Sequence, residues 1–319
     1  MDKYELSELK DYILLHGYDL NISKLKIDDK LTDTVSDIAN SDIVEKDNVE
    51  IPYINKRIMI SNVKDFMNYY FKLHKIGYLS DNKLKYILNN RKIKNIDDLV
   101  KITDDTAKMI EPFKLPINFV NERIFEGSLD IQVVITTDEQ KEELLKKINL
   151  YFTSINLPKV VTPITEVAYV HELVHSQIES HKGITKDFYN SEVLSIFVEL
   201  LYASYDDNLY YLFMMQRIRN IIVNFNNMYT YDIEKENIEV DGHVFNEVDY
   251  YVCSKYLVSI LKAFKLFSIY LENKYNTRDY IIHQINRVFD GFRGVEEFLN
   301  ELGISYNNSL DGNILKKLI

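Results

Sequence analysis

The sequence predicts a mainly α-helical fold with a small β-sheet, and three observations carry that reading. Apolar residues recur at three- and four-residue spacing through most of the chain, the period of an amphipathic helix. Glycine and proline are scarce, 9 and 5 among 319 residues, which argues against a loop-rich or repeat architecture. One β-branched run, Ile131 to Thr137, breaks the helical pattern between Gly127 and Asp138 and reads as a strand. With 46% hydrophobic residues the chain can bury a large core.

In chain order, the first hundred residues read as helices separated by polar turns: Tyr4 to His16 closed by Gly17, Ser61 to Ile76 closed by Gly77, Asp81 to Asn90, and Asp97 to Ile110. His16 and His74 have no acidic or histidine partner at ligand spacing and read as structural. Asp28 to Glu50 is acidic and poorly periodic, the pattern of a surface excursion. From Pro116 the character changes, with the strand and then a charged helix from Asp138 to about Phe152. Long helices follow at Asn190 to Tyr205, Leu209 to Met228, Asp249 to Leu271, Arg278 to Asp290 and Glu296 to Leu302. Tyr210, Tyr211, Phe213, Met214 and Met215 form a run better read as core packing than as a cofactor site. The expected division is a helical N-terminal region, 1–115, and a second region, 116–319, that carries the chemistry.

That chemistry centres on Val167 to Ser180, with His171, Glu172 and His175 in its middle. Two histidines four apart lie one turn apart on one helical face, so both imidazoles can converge on a single metal ion. Glu172 stands beside them, available as a base, while Leu173 and Val174 anchor the helix in a core. Thr165, just after Pro163, is the expected helix cap. The competing reading is a pair of ordinary core histidines.

A catalytic zinc ordinarily takes three protein ligands and leaves a position open for water, so a second helix must supply one more donor. Glu192 is the candidate. Glu192, Ser195 and Glu199 share one face of an otherwise apolar helix, and Ser180 to Asp187 has the glycine and polar residues of a turn that lets the two helices pack antiparallel. The alternative for Glu192 is a solvated surface carboxylate. Glu199 is placed to hydrogen-bond a ligand histidine and fix its tautomer.

The joint pattern of His171-Glu172-Leu173-Val174-His175-Ser176 followed by Glu192-Val193-Leu194-Ser195-Ile196-Phe197-Val198-Glu199 resembles the oligoendopeptidase F and thimet oligopeptidase group of zinc metallopeptidases. The resemblance implies zinc ligands at His171, His175 and Glu192, a general base at Glu172, and one Zn2+ per chain. It implies a mainly α, multi-helix zincin-like metallopeptidase fold with a small β-sheet near the active site, acting on short or unfolded peptides. Such peptidases commonly hold substrate as an added strand on a sheet edge, and Ile131 to Thr137 is the best strand available for it. The family ordinarily has a longer connection between the two blocks and often a glycine where Val174 stands. Further on, His243, Tyr250, Tyr251 and Tyr256 fall at spacings similar to the histidine and tyrosines that line the family's active site opposite the zinc. Tyr256 is the best placed, and Ser259 stands where the family has a glycine. A tyrosine-rich helix in a chain with 24 tyrosines is also what simple packing produces. In all, the resemblance runs from about Pro116 to the C-terminus.

Composition bounds the remaining possibilities. A net charge of -11 with both signs interspersed speaks against nucleic-acid or anionic-membrane partners. The single cysteine, Cys253, excludes an internal disulfide, and the first ten residues lack the apolar stretch of a secretory signal, so cytoplasmic residence is expected. The partner expected is a peptide substrate, and the composition leaves the oligomeric state open. Two rival readings remain: a non-catalytic peptide-binding or immunity-type descendant of the same fold, and a structural zinc site closed by a further ligand such as His181.

Overall fold

The computed structural model describes residues 3–15, 20, 56–75, 80–95, 98–99, 102, 124–125, 132–135, 153–158, 161–179, 188–234, 239–240, 243–304 and 314–318. The described chain is mainly helical. Helices α1 (Lys3–Ile13), α2 (Lys56–Lys75) and α3 (Asp81–Asn90) precede α4 (Pro163–Glu179), α5 (Phe188–Ala203), α6 (Asp207–Glu234) and α7 (Glu247–Glu272). The shorter α8 (Thr277–Phe289), α9 (Val295–Glu301) and α10 (Leu315–Leu318) close the chain. The expected excursion at Asp28 to Glu50, most of the helix at Asp97 to Ile110 and the helix at Asp138 to Phe152 lie outside the described residues. Among the described residues no helix is long and apolar enough to cross a membrane.

Short strands pair in two places. β2 (Gln132–Ile135) runs antiparallel to β3 (Thr153–Pro158), and β1 (Ile124–Phe125) lies parallel to β3 on its other side, giving the order β1-β3-β2. β2 occupies the middle of the run read as a strand at Ile131 to Thr137. Both β2 and β3 lie against α4. β4 (Glu239–Val240) and β5 (His243–Val244) form a separate two-stranded pair.

The architecture is organised around α5. Every residue from Ser191 to Leu200 is buried, because α4, α6 and α7 all pack on it. A helix apolar nearly all round needs such an enclosure, and its few polar residues are then forced inside with it. Phe197, fully buried, meets Phe267 and Tyr270 of α7 edge-on at ring-centroid separations of 6.1 and 5.7 Å, which locks the register of α5 against α7. Phe213, Met214 and Met215 of α6 are buried, as expected for core residues.

The N-terminal helices join the same core. α1 and α2 pack against α6, and the Tyr70 hydroxyl donates to the Ile13 carbonyl at 2.8 Å and accepts from the Leu15 amide at 3.1 Å. These bonds satisfy backbone groups at the end of α1 that the helix leaves open. Burial pushes the Tyr70 phenol up to about 12. Arg219 of α6 donates to the Leu14 carbonyl at 2.9 Å and completes that end.

Helix starts follow capping chemistry, and one departs from expectation. α4 begins at Pro163, with Thr162 rather than Thr165 as its cap. The Thr165 amide donates to Thr162 Oγ1 at 3.3 Å, and the Thr162 amide donates back to Thr165 Oγ1 at 3.1 Å. Pro163 is then the first helical residue, where a missing N–H costs nothing. α7 starts at Glu247 rather than Asp249, capped by a reciprocal pair in which the Asp249 amide reaches Asn246 Oδ1 at 3.3 Å and the Asn246 amide reaches Asp249 Oδ2 at 2.8 Å. α6 runs past Met228 to Glu234, since Tyr231 finds Phe245 and Tyr250 to pack against at 5.5 and 5.7 Å.

Candidate metal centre

α4 turns Val167, Val170, Leu173, Val174 and Ile178 into the core, which leaves His171 and His175 on the side that meets α5. Their Nε2 atoms lie 2.9 Å apart. From α5, Glu192 brings Oε2 to 3.3 Å from His171 Nε2 and Oε1 to 3.5 Å from His175 Nε2. One ligand atom from each of these three buried residues lies within 4.8 Å of the others, a group that could hold a metal ion.

The donor set suits such an ion. Two imidazole nitrogens bound at ordinary zinc distances and a tetrahedral angle would stand about 3.3 Å apart, near the separation found between these rings. Glu192 Oε2 is buried and, among the described residues, has no hydrogen-bond partner, so it keeps lone pairs for a cation beside the histidines. Glu199, two turns further along α5, places Oε1 at 3.3 Å from His171 Nδ1. Carboxylate oxygens thus flank both ring nitrogens of His171 at the same distance, and were a metal ion to take the Nε2 lone pair, the ring proton would sit on Nδ1, the nitrogen that faces Glu199.

Electrostatics point the same way. Burial pulls the His171 pKa down, but the carboxylates of Glu199 and Glu192 outweigh it and raise the value to about 10. Burial pushes Glu192 up, and the charges of His175 and His171 overcome it, holding the carboxyl well below its usual range. Both shifts express a field that favours positive charge at the histidine nitrogens, whether a proton or a metal ion supplies it.

Two cations complete the surroundings, and the sequence did not mark either. Arg217 of α6 forms a salt bridge with Glu199 Oε2. Lys255 of α7, only 3% exposed, sets Nζ 3.4 Å from Glu192 Oε1. A signal for Lys255 existed in the pattern Lys255, Ser259 and Lys262, a polar stripe at helical spacing in an apolar helix, and all three are buried.

Of the other expected site residues, Glu172 follows His171 on α4 and is half-buried. Tyr256 of α7 is brought to the same region: its phenol is raised above the ordinary tyrosine range by burial and by the charges of Glu192 and Glu172. It is 37% exposed and so reachable from outside. Tyr250 instead packs its ring on Tyr231 at 5.7 Å. His243 lies in β5, paired with Val240, and Tyr251 lies in the first turns of α7; their side chains, like the whole of His181, fall outside the described residues. A cavity of about 870 Å³ opens elsewhere, at the start of α4, between Tyr86, Arg91, Glu166 and Tyr202.

Comparison of the chain with family models, with curated proteins and with solved structures returned no match. The functional reading therefore stands on the geometry of this centre and on the two motif blocks that form it.

Proposed function

We propose that the chain is a zinc-dependent metallopeptidase of the oligoendopeptidase type, with a zincin-like fold, cutting short or unfolded peptides in the cytoplasm. The observation that carries this reading is the convergence of His171, His175 and Glu192 from two antiparallel helices, with Glu199 holding the far side of His171. Zinc held by these three would act as a Lewis acid on water and on the scissile carbonyl.

The protein's own groups would supply the rest. Glu172, adjacent to the first ligand, would take the proton from the attacking water and hand it to the leaving amine. Tyr256 would donate a hydrogen bond to the carbonyl oxygen as negative charge develops there. Its raised pKa suits that task, since a phenol that stays protonated remains a donor at neutral and alkaline pH. Arg217 would hold Glu199 in place, and through it the orientation of His171. β2, at the edge of the strand order β1-β3-β2 and against α4, offers a backbone ladder to an extended substrate. A flexible peptide should therefore be cut while a folded domain carrying the same sequence is spared.

A second reading draws on Lys255 and Arg217. Together they give each buried carboxylate, Glu192 and Glu199, a cation without any metal, which is the balance a non-catalytic peptide-binding descendant would keep. Glu172→Gln separates the two. In the enzyme this variant retains zinc and loses peptide cleavage by about a hundredfold to ten-thousandfold. In the descendant neither the wild type nor the variant cuts a random peptide pool.

A further inference from the structure

We propose that Lys255 is a resident cation that occupies the Glu192 edge of the centre when no metal is bound, so that loading a divalent ion requires its ammonium to leave. This rests on the metal-binding reading of His171, His175 and Glu192 and describes how that centre is charged and emptied.

The geometry is specific. Lys255 Nζ and His175 Nε2 approach the same carboxylate oxygen, Glu192 Oε1, at 3.4 and 3.5 Å. Lys255 is 3% exposed and Glu192 4%, so the contact is shielded from solvent. Held there, the ammonium adds a second source of positive charge beside a buried carboxylate that the two histidines also face. Arg217 does the same for Glu199. Each buried carboxylate of the centre thus has a basic side chain against it without any metal.

A divalent ion bound through Glu192 would stand beside that ammonium. Like charges a few ångströms apart in a site of low effective dielectric repel strongly, so the two cations compete for one carboxylate edge. Lysine can yield, because its charge rides on a flexible four-carbon stem. The next residue supplies a contact that the ammonium already makes and can keep: Lys255 Nζ, while facing Glu192, lies 5.2 Å from the centroid of the Tyr256 ring, and Tyr256 is 37% exposed. A cation over that ring keeps a favourable contact while moving toward solvent. The predicted consequence is a zinc affinity weaker than the three ligands alone would give, and readily exchanged metal.

The test uses the full chain, stripped of metal and titrated with zinc against a chromogenic chelator. Lys255→Met should bind zinc at least tenfold more tightly than the wild type, and Lys255→Arg, which keeps the charge, should stay near the wild type. Equal affinities in the wild type and the Met variant would overturn the inference. An absence of zinc binding in both would overturn the metal reading itself, a distinguishable result. If the Met variant does not fold, the wild type decides: adding zinc should raise acylation of Lys255 severalfold relative to exposed lysines in peptide mapping. Unchanged labelling in protein shown to hold zinc would reject the displacement.

Discussion

Glu199 Oε1 lies 3.3 Å from His171 Nδ1, while its other oxygen pairs with Arg217. A carboxylate so held from α6 faces the ring of a histidine on α4, and one side chain links three helices. Groups that orient a ligand in this way typically contribute 10- to 100-fold to metal affinity. Glu199→Gln keeps the shape and removes the charge, so zinc affinity should fall by about that factor. A chelator competition titration measures it, and an unchanged constant would reduce Glu199 to a structural partner of Arg217.

Tyr256→Phe keeps the ring and deletes one donor. If the phenol serves the developing oxyanion, turnover should fall by about a hundredfold to a thousandfold with zinc content unchanged. Because the phenol titrates above the ordinary tyrosine range, wild-type turnover should show no loss from this group as pH rises to about 10, the value for an unperturbed phenol. Near-normal turnover in the Phe variant would make Tyr256 a packing residue.

Glu166 tests the account of buried charge away from the candidate metal centre. It is 6% exposed, accepts from the Tyr202 hydroxyl at 2.6 Å, and has a raised pKa, chiefly from burial. A carboxyl whose folded pKa exceeds its unfolded value destabilises the fold where it is ionised in both states, at neutral pH, and has no such effect below the unfolded pKa. Glu166→Gln retains an acceptor for Tyr202 and should raise Tm at pH 7, with the gain shrinking as pH falls through the ordinary carboxylate range. A gain that is the same at pH 4 and pH 7 would contradict the assignment to burial.

The trio His171, His175 and Glu192 was legible in the sequence because each part obeys a local rule. His171 and His175 are one turn apart, and Glu192, Ser195 and Glu199 form a polar stripe on an apolar helix, so their common face is visible without a fold. Lys255 and Arg217 were not visible as partners. Their helices reach the centre through packing registers, such as Phe197 against Phe267 and Tyr270, that no local spacing encodes. A lysine in a helix is ordinarily solvated, so the stripe of Lys255, Ser259 and Lys262 reads as a wet face until all three are found buried. The start of α4 shows a smaller version of the same limit: both Thr162 and Thr165 are cap residue types, and only the reciprocal hydrogen bonds distinguish which stands outside the helix.

Metal content tests the central claim most directly. Wild-type protein and Glu192→Ala, purified alike, loaded with zinc and dialysed, should differ: about one zinc per chain in the wild type, as for a single three-ligand site, and a clearly lower content in the variant. Zinc absent from the wild type, or equal in the two proteins, would contradict the assignment of His171, His175 and Glu192 as a metal centre.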